Sequence, residues 1–175
     1  MIFGLFRRSA NRKVIERLHG EIVDAARNRS LFTEYAIEDS FEGRFESIAL
    51  HASLVLRRLN AMAAPAPAMA QDLADAQFRH FEIALREMGI GDVSVPKRMK
   101  TLAEAFLGRA AAYDQALRAG APALKAALAR NVYCNHENPG RLARYVAAMH
   151  LALEKAPLEA FATGPVPFPE PSTIV

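Results

Sequence analysis

The stretch from Phe81 to Leu117 reads FEIALREMGIGDVSVPKRMKTLAEAFLGRAAAYDQAL and decides the fold. Leu85 and Met88 lie on an apolar helical stripe that stops at Gly89. Glycine is common just past a helix end because it adopts a positive φ without a Cβ clash. The stretch therefore predicts two helices joined by a helix-turn-helix corner at residues 85–100. The apolar residues of the second helix recur with a 3.6-residue period: Met99, Leu102, Ala103, Phe106, Ala110, Tyr113 and Leu117.

Several polar residues around this corner have predicted local roles. Asp92 or Ser94 is expected to cap the second helix with a side-chain oxygen. Pro96 suits the first turn of that helix, where its missing N–H is not needed. Arg86 and Glu87, at the end of the first helix, are expected to lock the turn.

The rest of the chain is also predicted to be helical, giving an all-α, single-domain bundle of about six helices. Alanine, leucine and arginine dominate the sequence, and the β-branched alternation of strands is missing. The helical domain is expected to span residues 1–156, with Met88 among its inward-facing residues. Residues 157–175 contain repeated prolines and predict an extended or disordered tail.

Composition excludes several classes of protein. Hydrophobic residues make up 51% of the 175 residues and charged residues 23%, which are ordinary globular values. The net charge of +3 is much weaker than a dedicated nucleic-acid binder shows, so we expect no DNA partner. Cys134 is the sole cysteine, which favours a reducing compartment. No apolar run reaches the roughly 20 residues that a membrane span requires, and the first six residues are too short for a signal-peptide core.

The N-terminal segment has the composition of a membrane-surface anchor. Apolar residues beside a basic cluster suit the interface of an anionic bilayer, although a docked N-terminal turn would have the same composition. The predicted membrane-contacting residues are Ile2, Phe3, Leu5, Phe6, Arg7 and Arg8.

The sequence offers little support for catalysis or for a cofactor. His80, His136, His150 and Cys134 do not have the spacing of a known metal site. The Gly89–Gly91 pair follows a helix instead of a strand and lacks the lysine of a phosphate-binding loop. We therefore predict a protein that is not an enzyme and that has no metal and no cofactor.

Two segments resemble a known family. The sequence LREMGIGDVSVPKRMK, followed by AFLGRAAAYDQAL, resembles the signature of the ubiquinol-cytochrome c chaperone family, which assists assembly of the cytochrome bc1 complex. In the preceding long helix, the family pattern is matched by Gly43-Arg44-Phe45, Leu50-His51 and Arg57-Arg58. The resemblance covers roughly residues 31–133.

This resemblance implies an assembly chaperone of bacterial type that binds newly made cytochrome b or other bc1 subunits. The lack of a membrane-spanning run and of a signal-peptide core predicts a cytoplasmic location, which includes the periphery of the inner face of the cytoplasmic membrane. Some of the matched residues also have a structural interpretation. The arginines could form internal ion pairs with Glu82, Glu87, Glu104 or Asp92, and His51 could be a packed core residue. The predicted client- or partner-binding residues are Arg44, His51, Arg57, Arg58, Arg86, Glu87, Asp92, Lys97, Lys100, Arg109 and Tyr113.

Two other functions fit the same sequence. One is an RNA- or ribosome-binding module that uses Lys97, Arg98, Lys100 and the arginine pair at 57–58. The other is a chaperone of the same fold with a different membrane-protein client.

Overall fold

A computed structural model describes the backbone from Ile2 to Ile174 and the side chains from Asn11 to Ile174. The regular structure of this part of the chain is entirely helical, which confirms the all-α prediction. Six helices have 11 or more residues, two have five, and a 3₁₀ turn spans Pro171–Thr173. The α-helices are α1 (Ile2–Ala26), α2 (Arg29–Thr33), α3 (Phe41–Asn60), α4 (Ala66–Glu87), α5 (Val95–Ala119), α6 (Ala121–Asn131), α7 (Gly140–Lys155) and α8 (Leu158–Ala162).

Helix α3 lies at the centre of the bundle, packed against α1, α4, α5 and α7. Every residue from Phe45 to Val55 is buried, so this helix has no solvent-facing side over three turns. Small residues such as Ser47, Ala49 and Ala52 allow the neighbouring helices to approach from several directions. The Ser40 side chain caps the helix by accepting a hydrogen bond from the N–H of Gly43 at 3.2 Å.

The corner between α4 and α5 forms where the sequence predicts it. Gly89 has a φ of 79°, and its N–H donates to the carbonyl of Arg86 at 2.9 Å. The N–H of Ile90 donates to the carbonyl of Leu85 at 3.2 Å. These two bonds are the Schellman arrangement that closes a helix on a left-handed glycine.

The start of α5 differs from its prediction in one respect. Pro96 lies in the first turn as expected, but Ser94 makes no side-chain capping bond. The Asp92 carboxylate instead accepts from the Arg86 guanidinium. Backbone turn bonds organise the helix start, because the N–H groups of Ser94 and Val95 both donate to the carbonyl of Gly91. The prediction of a side-chain cap at this end was wrong.

The C-terminal tail is packed against the bundle. Its first residues form α8, where Phe161 is fully buried, and Val166 is 7% exposed. The Tyr35 hydroxyl donates to the carbonyl of Pro171 at 2.6 Å, and the N–H of Val166 donates to Glu21 at 2.6 Å. Residues 165–170 have no regular structure, whereas the helical segments Leu158–Ala162 and Pro171–Thr173 depart from the extended tail that was predicted. The alternative of a disordered tail was wrong, because apolar residues between the prolines anchor the segment.

Candidate client-binding surface

Two of the predicted binding residues lie inside the core. Tyr113 is 1% exposed and His51 is fully buried, so neither reaches a partner at the surface. The His51 Nδ1 lies 2.7 Å from the Ser47 carbonyl, which assigns the proton to Nδ1 because a carbonyl only accepts. Its Nε2 then accepts from the Tyr145 hydroxyl at 2.9 Å. Burial lowers the pKa of His51 to about 4, so this ring is a neutral structural residue at neutral pH.

Arg109 forms a buried ion pair with Glu46 that the sequence does not predict. Its guanidinium contacts both carboxylate oxygens of Glu46, with distances of 2.7–3.1 Å. The Glu46 side chain is only 10% exposed and that of Arg109 30%. Burial raises the pKa of Glu46, and the charge of Arg109 opposes that shift. The pair joins α3 to α5, so Arg109 is a structural residue and its guanidinium is engaged internally.

The arginine pair of α3 is also engaged within the molecule. Arg57 donates to Asp114 at 2.9 Å and to Glu154 at 2.6 Å, which ties α3 to α5 and α7. Arg58 donates to the carbonyl of Ala156 at 2.8 Å. None of these partners is among the acidic residues predicted to pair with the arginines. Asp114 and Glu154, which pair with Arg57, come from distant parts of the sequence.

At the corner, Arg86 is the one predicted arginine that pairs with predicted partners. It binds Glu82 at 2.9 Å on its own helix and also contacts Asp92 in the turn. Arg86 and Asp92 therefore hold the corner together, whereas the prediction gave this role to Arg86 and Glu87. Glu87 takes no part in this lock and instead lines a groove between α3 and α4.

Three other predicted cations are accessible. Arg44 pairs with Asp39 at 2.6 Å while its side chain remains 55% exposed. Lys97 is exposed in the first turn of α5. Lys100 is 78% exposed, with Glu104 at 3.9 Å. Of the cations predicted to bind a client, these are the ones best able to meet a partner.

The predicted membrane-contacting residues Ile2, Phe3, Leu5, Phe6, Arg7 and Arg8 have side chains that lie outside the described residues. Within the described part of the chain, no helix combines the length and the apolar character that a membrane span requires. Among residues whose side chains are described, no group of three metal-ligating side chains comes together.

Exposed large apolar side chains concentrate on the helical hairpin formed by α4, the corner and α5. Five large apolar residues between positions 11 and 174 are highly exposed, and four of them lie on α4, the corner or α5. We call this set the hairpin surface: Ile83 (55% exposed), Met88 (56%), Val93 (96%) and Leu107 (62%). The prediction that Met88 faces inward was wrong, because Met88 follows the last residue of α4 as its C-cap and leaves the buried stripe.

An open groove of about 590 Å³ runs between α3, α4 and α5 on the same hairpin. Phe78 and Phe106 contribute aromatic walls, and Leu107 stands at the edge. Five alanines add small side chains to the lining: Ala61, Ala70, Ala74, Ala110 and Ala111. Small residues let a second helix approach closely, as in helix–helix contacts of membrane proteins. Sequence reasoning missed this groove, although the alanines at 70, 74, 110 and 111 were the signal for it.

Comparison with known proteins identifies the family. A model of the family described as "Ubiquinol-cytochrome C chaperone" matches residues 33–168. The crystal structure of the Cbp3 homolog from Brucella abortus is similar over 100% of both chains, with a TM-score of 0.88 and 38% sequence identity. Curated proteins gave no sequence match. The chain therefore belongs to the ubiquinol-cytochrome C chaperone family.

Proposed function

We propose that this protein is an assembly chaperone of the cytochrome bc1 complex and that it binds newly made cytochrome b. The observation that carries the proposal is the family match over residues 33–168. The full-length similarity to the Cbp3 homolog supports it, because the same fold is kept at 38% identity with no large insertion or deletion of domains. The protein acts by stoichiometric binding and not by catalysis. It holds cytochrome b until haem is inserted and the other subunits associate.

The hairpin surface and the groove beside Leu107 are the two proposed client-contacting regions. A nascent membrane protein exposes apolar helices, and covering them removes apolar area from water at about 25 cal/mol per Å². The exposed Ile83 and Leu107 supply apolar contacts, and the alanine-lined groove is suited to a helix. Lys97 and Lys100 then donate hydrogen bonds to polar groups of the client beside these regions.

We place the protein in the cytoplasm, at the inner face of the membrane where cytochrome b is inserted. Its mildly basic balance, with a net charge of +3, is compatible with an anionic surface nearby.

The proposed function predicts a selective defect when the gene is deleted. Because cytochrome b without its chaperone would not complete assembly, the reduced-minus-oxidised spectrum of the membranes should lose the b-type haem signal of bc1. The intact gene should restore that signal, while other cytochromes serve as the internal control. Unchanged bc1 haem in the deletion strain would mean that the fold serves another client.

A further inference from the structure

A pocket rich in arginine lies where α1, α2 and the start of α3 meet. Its volume is about 360 Å³, and Arg27, Arg29, Phe32, Asp39 and Arg44 contribute to its lining. Arg44 is paired with Asp39. Arg27 and Arg29 are exposed, and neither forms an ion pair with any residue from 11 to 174. The lining therefore contains three cations and one anion, an excess of two positive charges.

An apolar groove continues from this pocket. The two depressions share Arg27, Asp39 and Arg44, so together they form one surface. The groove has a volume of about 460 Å³ and is lined by aromatic side chains that include Phe41 and Phe45. Thus a compact basic site adjoins an apolar groove, and this arrangement suits a ligand with an anionic head and an apolar tail.

The charged side chains that line the apolar groove balance, with Arg27 and Arg44 against Asp39 and Glu87, so the excess of positive charge is confined to the adjoining pocket, where Arg29 is added. His80 lines the groove, and its ring centroid lies 5.0 Å from that of His19. Burial lowers the pKa of His19 to about 4, with smaller contributions from His80, Arg79 and Arg27. Glu87, on α4, is the one acidic group in the groove lining besides Asp39.

We propose that this surface binds a phospholipid with an anionic headgroup, which the arginines hold while Phe41 and its neighbours contact the acyl region. Guanidinium groups bind phosphate oxygens through paired hydrogen bonds. The choice of a lipid over a client loop rests on the proposed function. Cytoplasmic loops of membrane proteins carry an excess of lysine and arginine, which this surface would repel, whereas anionic headgroups of the same leaflet are attracted.

Binding to vesicles tests this assignment. The full chain should bind phosphatidylglycerol-containing vesicles more tightly than pure phosphatidylcholine vesicles. Each surface arginine contributes about 1 kcal/mol to such binding, so Arg27→Ala/Arg29→Ala should weaken it roughly 30-fold. The matched control Lys125→Ala/Arg130→Ala removes the same charge from exposed sites on α6 and should retain most of the binding.

A fluorescence readout locates the contact. The chain has no tryptophan, so Phe41→Trp introduces a single reporter in the groove, and Leu151→Trp introduces one on exposed α7. The Phe41→Trp emission should shift to shorter wavelength on anionic vesicles, while the Leu151→Trp emission should not. Vesicle binding without that shift, or equal binding by the two double-alanine variants, would overturn the proposal. Preferential binding of an acidic peptide over the vesicles would also overturn it. None of these outcomes depends on cytochrome b.

Discussion

Gly43→Ala is expected to destabilise the protein by roughly 3 kcal/mol, although alanine is normally the better residue inside a helix. A Cβ at this position would lie 1.9 Å from the carbonyl oxygen of Glu38. The obstacle is backbone, so no side-chain rotation can relieve the clash. The two backbone segments cannot move apart easily either. Ile37 is buried next to Glu38, and Phe45 is buried two residues after Gly43.

Gly108→Ala is the matched control for this effect. Gly108 lies inside α5, and nothing comes within 4 Å of the position that its Cβ would occupy. Here the ordinary preference should apply, giving a gain of about 0.5–1 kcal/mol. Urea unfolding followed by circular dichroism measures both changes. A Gly43→Ala variant as stable as Gly108→Ala would show that the segment before α3 does not pack as described.

Arg109→Met is expected to lower the free energy of unfolding by about 3 kcal/mol. The loss arises because Glu46 stays in a site where its side chain is 10% exposed and no longer has a cation beside it. Removing one partner of a buried ion pair costs roughly 3–5 kcal/mol, and the partial exposure of Arg109 favours the lower end of that range.

The double variant Glu46→Gln/Arg109→Met separates pairing from packing. It removes the uncompensated charge, so it should recover a large part of the stability lost in Arg109→Met. Denaturant midpoints of the wild type, both single variants and the double variant form a double-mutant cycle. Additive losses across the cycle would contradict a direct Glu46–Arg109 interaction.

Local signals in the sequence were sufficient for the helices and the corner. Helix periodicity depends on residues three and four apart, and Gly89 closes α4 through bonds within six residues. Asp92 was among the acidic residues predicted to pair with the arginines, and its contact with Arg86 joins residues that are close in sequence.

The other arginine partners depend on tertiary packing. Glu46 and Arg109 are 63 residues apart, and Arg57 and Glu154 are 97 apart. Periodicity gives the face on which a residue lies but does not reveal which helix packs against that face. His51 was therefore predicted to bind a partner, but it is fully buried because α3 has neighbouring helices on all sides.

Composition did not reveal that the tail is ordered. Prolines prevent regular hydrogen bonding, and this suggested extended or disordered chain. The intervening Phe161 and Val166 bury apolar surface, while Arg17 donates to the carbonyl of Gly164 at 2.7 Å. Irregular segments can thus be ordered by a few anchors that no periodic pattern reveals.

The hairpin surface is the part of the candidate site that could not be predicted from the sequence. Ile83 and Leu107 look like ordinary apolar residues of amphipathic helices, and their exposure is visible only after the helices pack. Burial also removes His51 and Tyr113 from the set of binding residues, so the client contacts that we propose are the exposed Lys97 and Lys100 and the hairpin surface.

The most direct test of the account is whether this surface holds newly made cytochrome b. Affinity-tagged protein should recover pulse-labelled cytochrome b from its own cells, and Ile83→Asp/Leu107→Asp should abolish most of that recovery. Leu151→Asp, at a residue 58% exposed on α7, is the control that should retain it, with circular dichroism confirming that both variants fold. Equal recovery by the two variants would contradict the assigned surface, and no cytochrome b with the wild-type protein would contradict the proposed client.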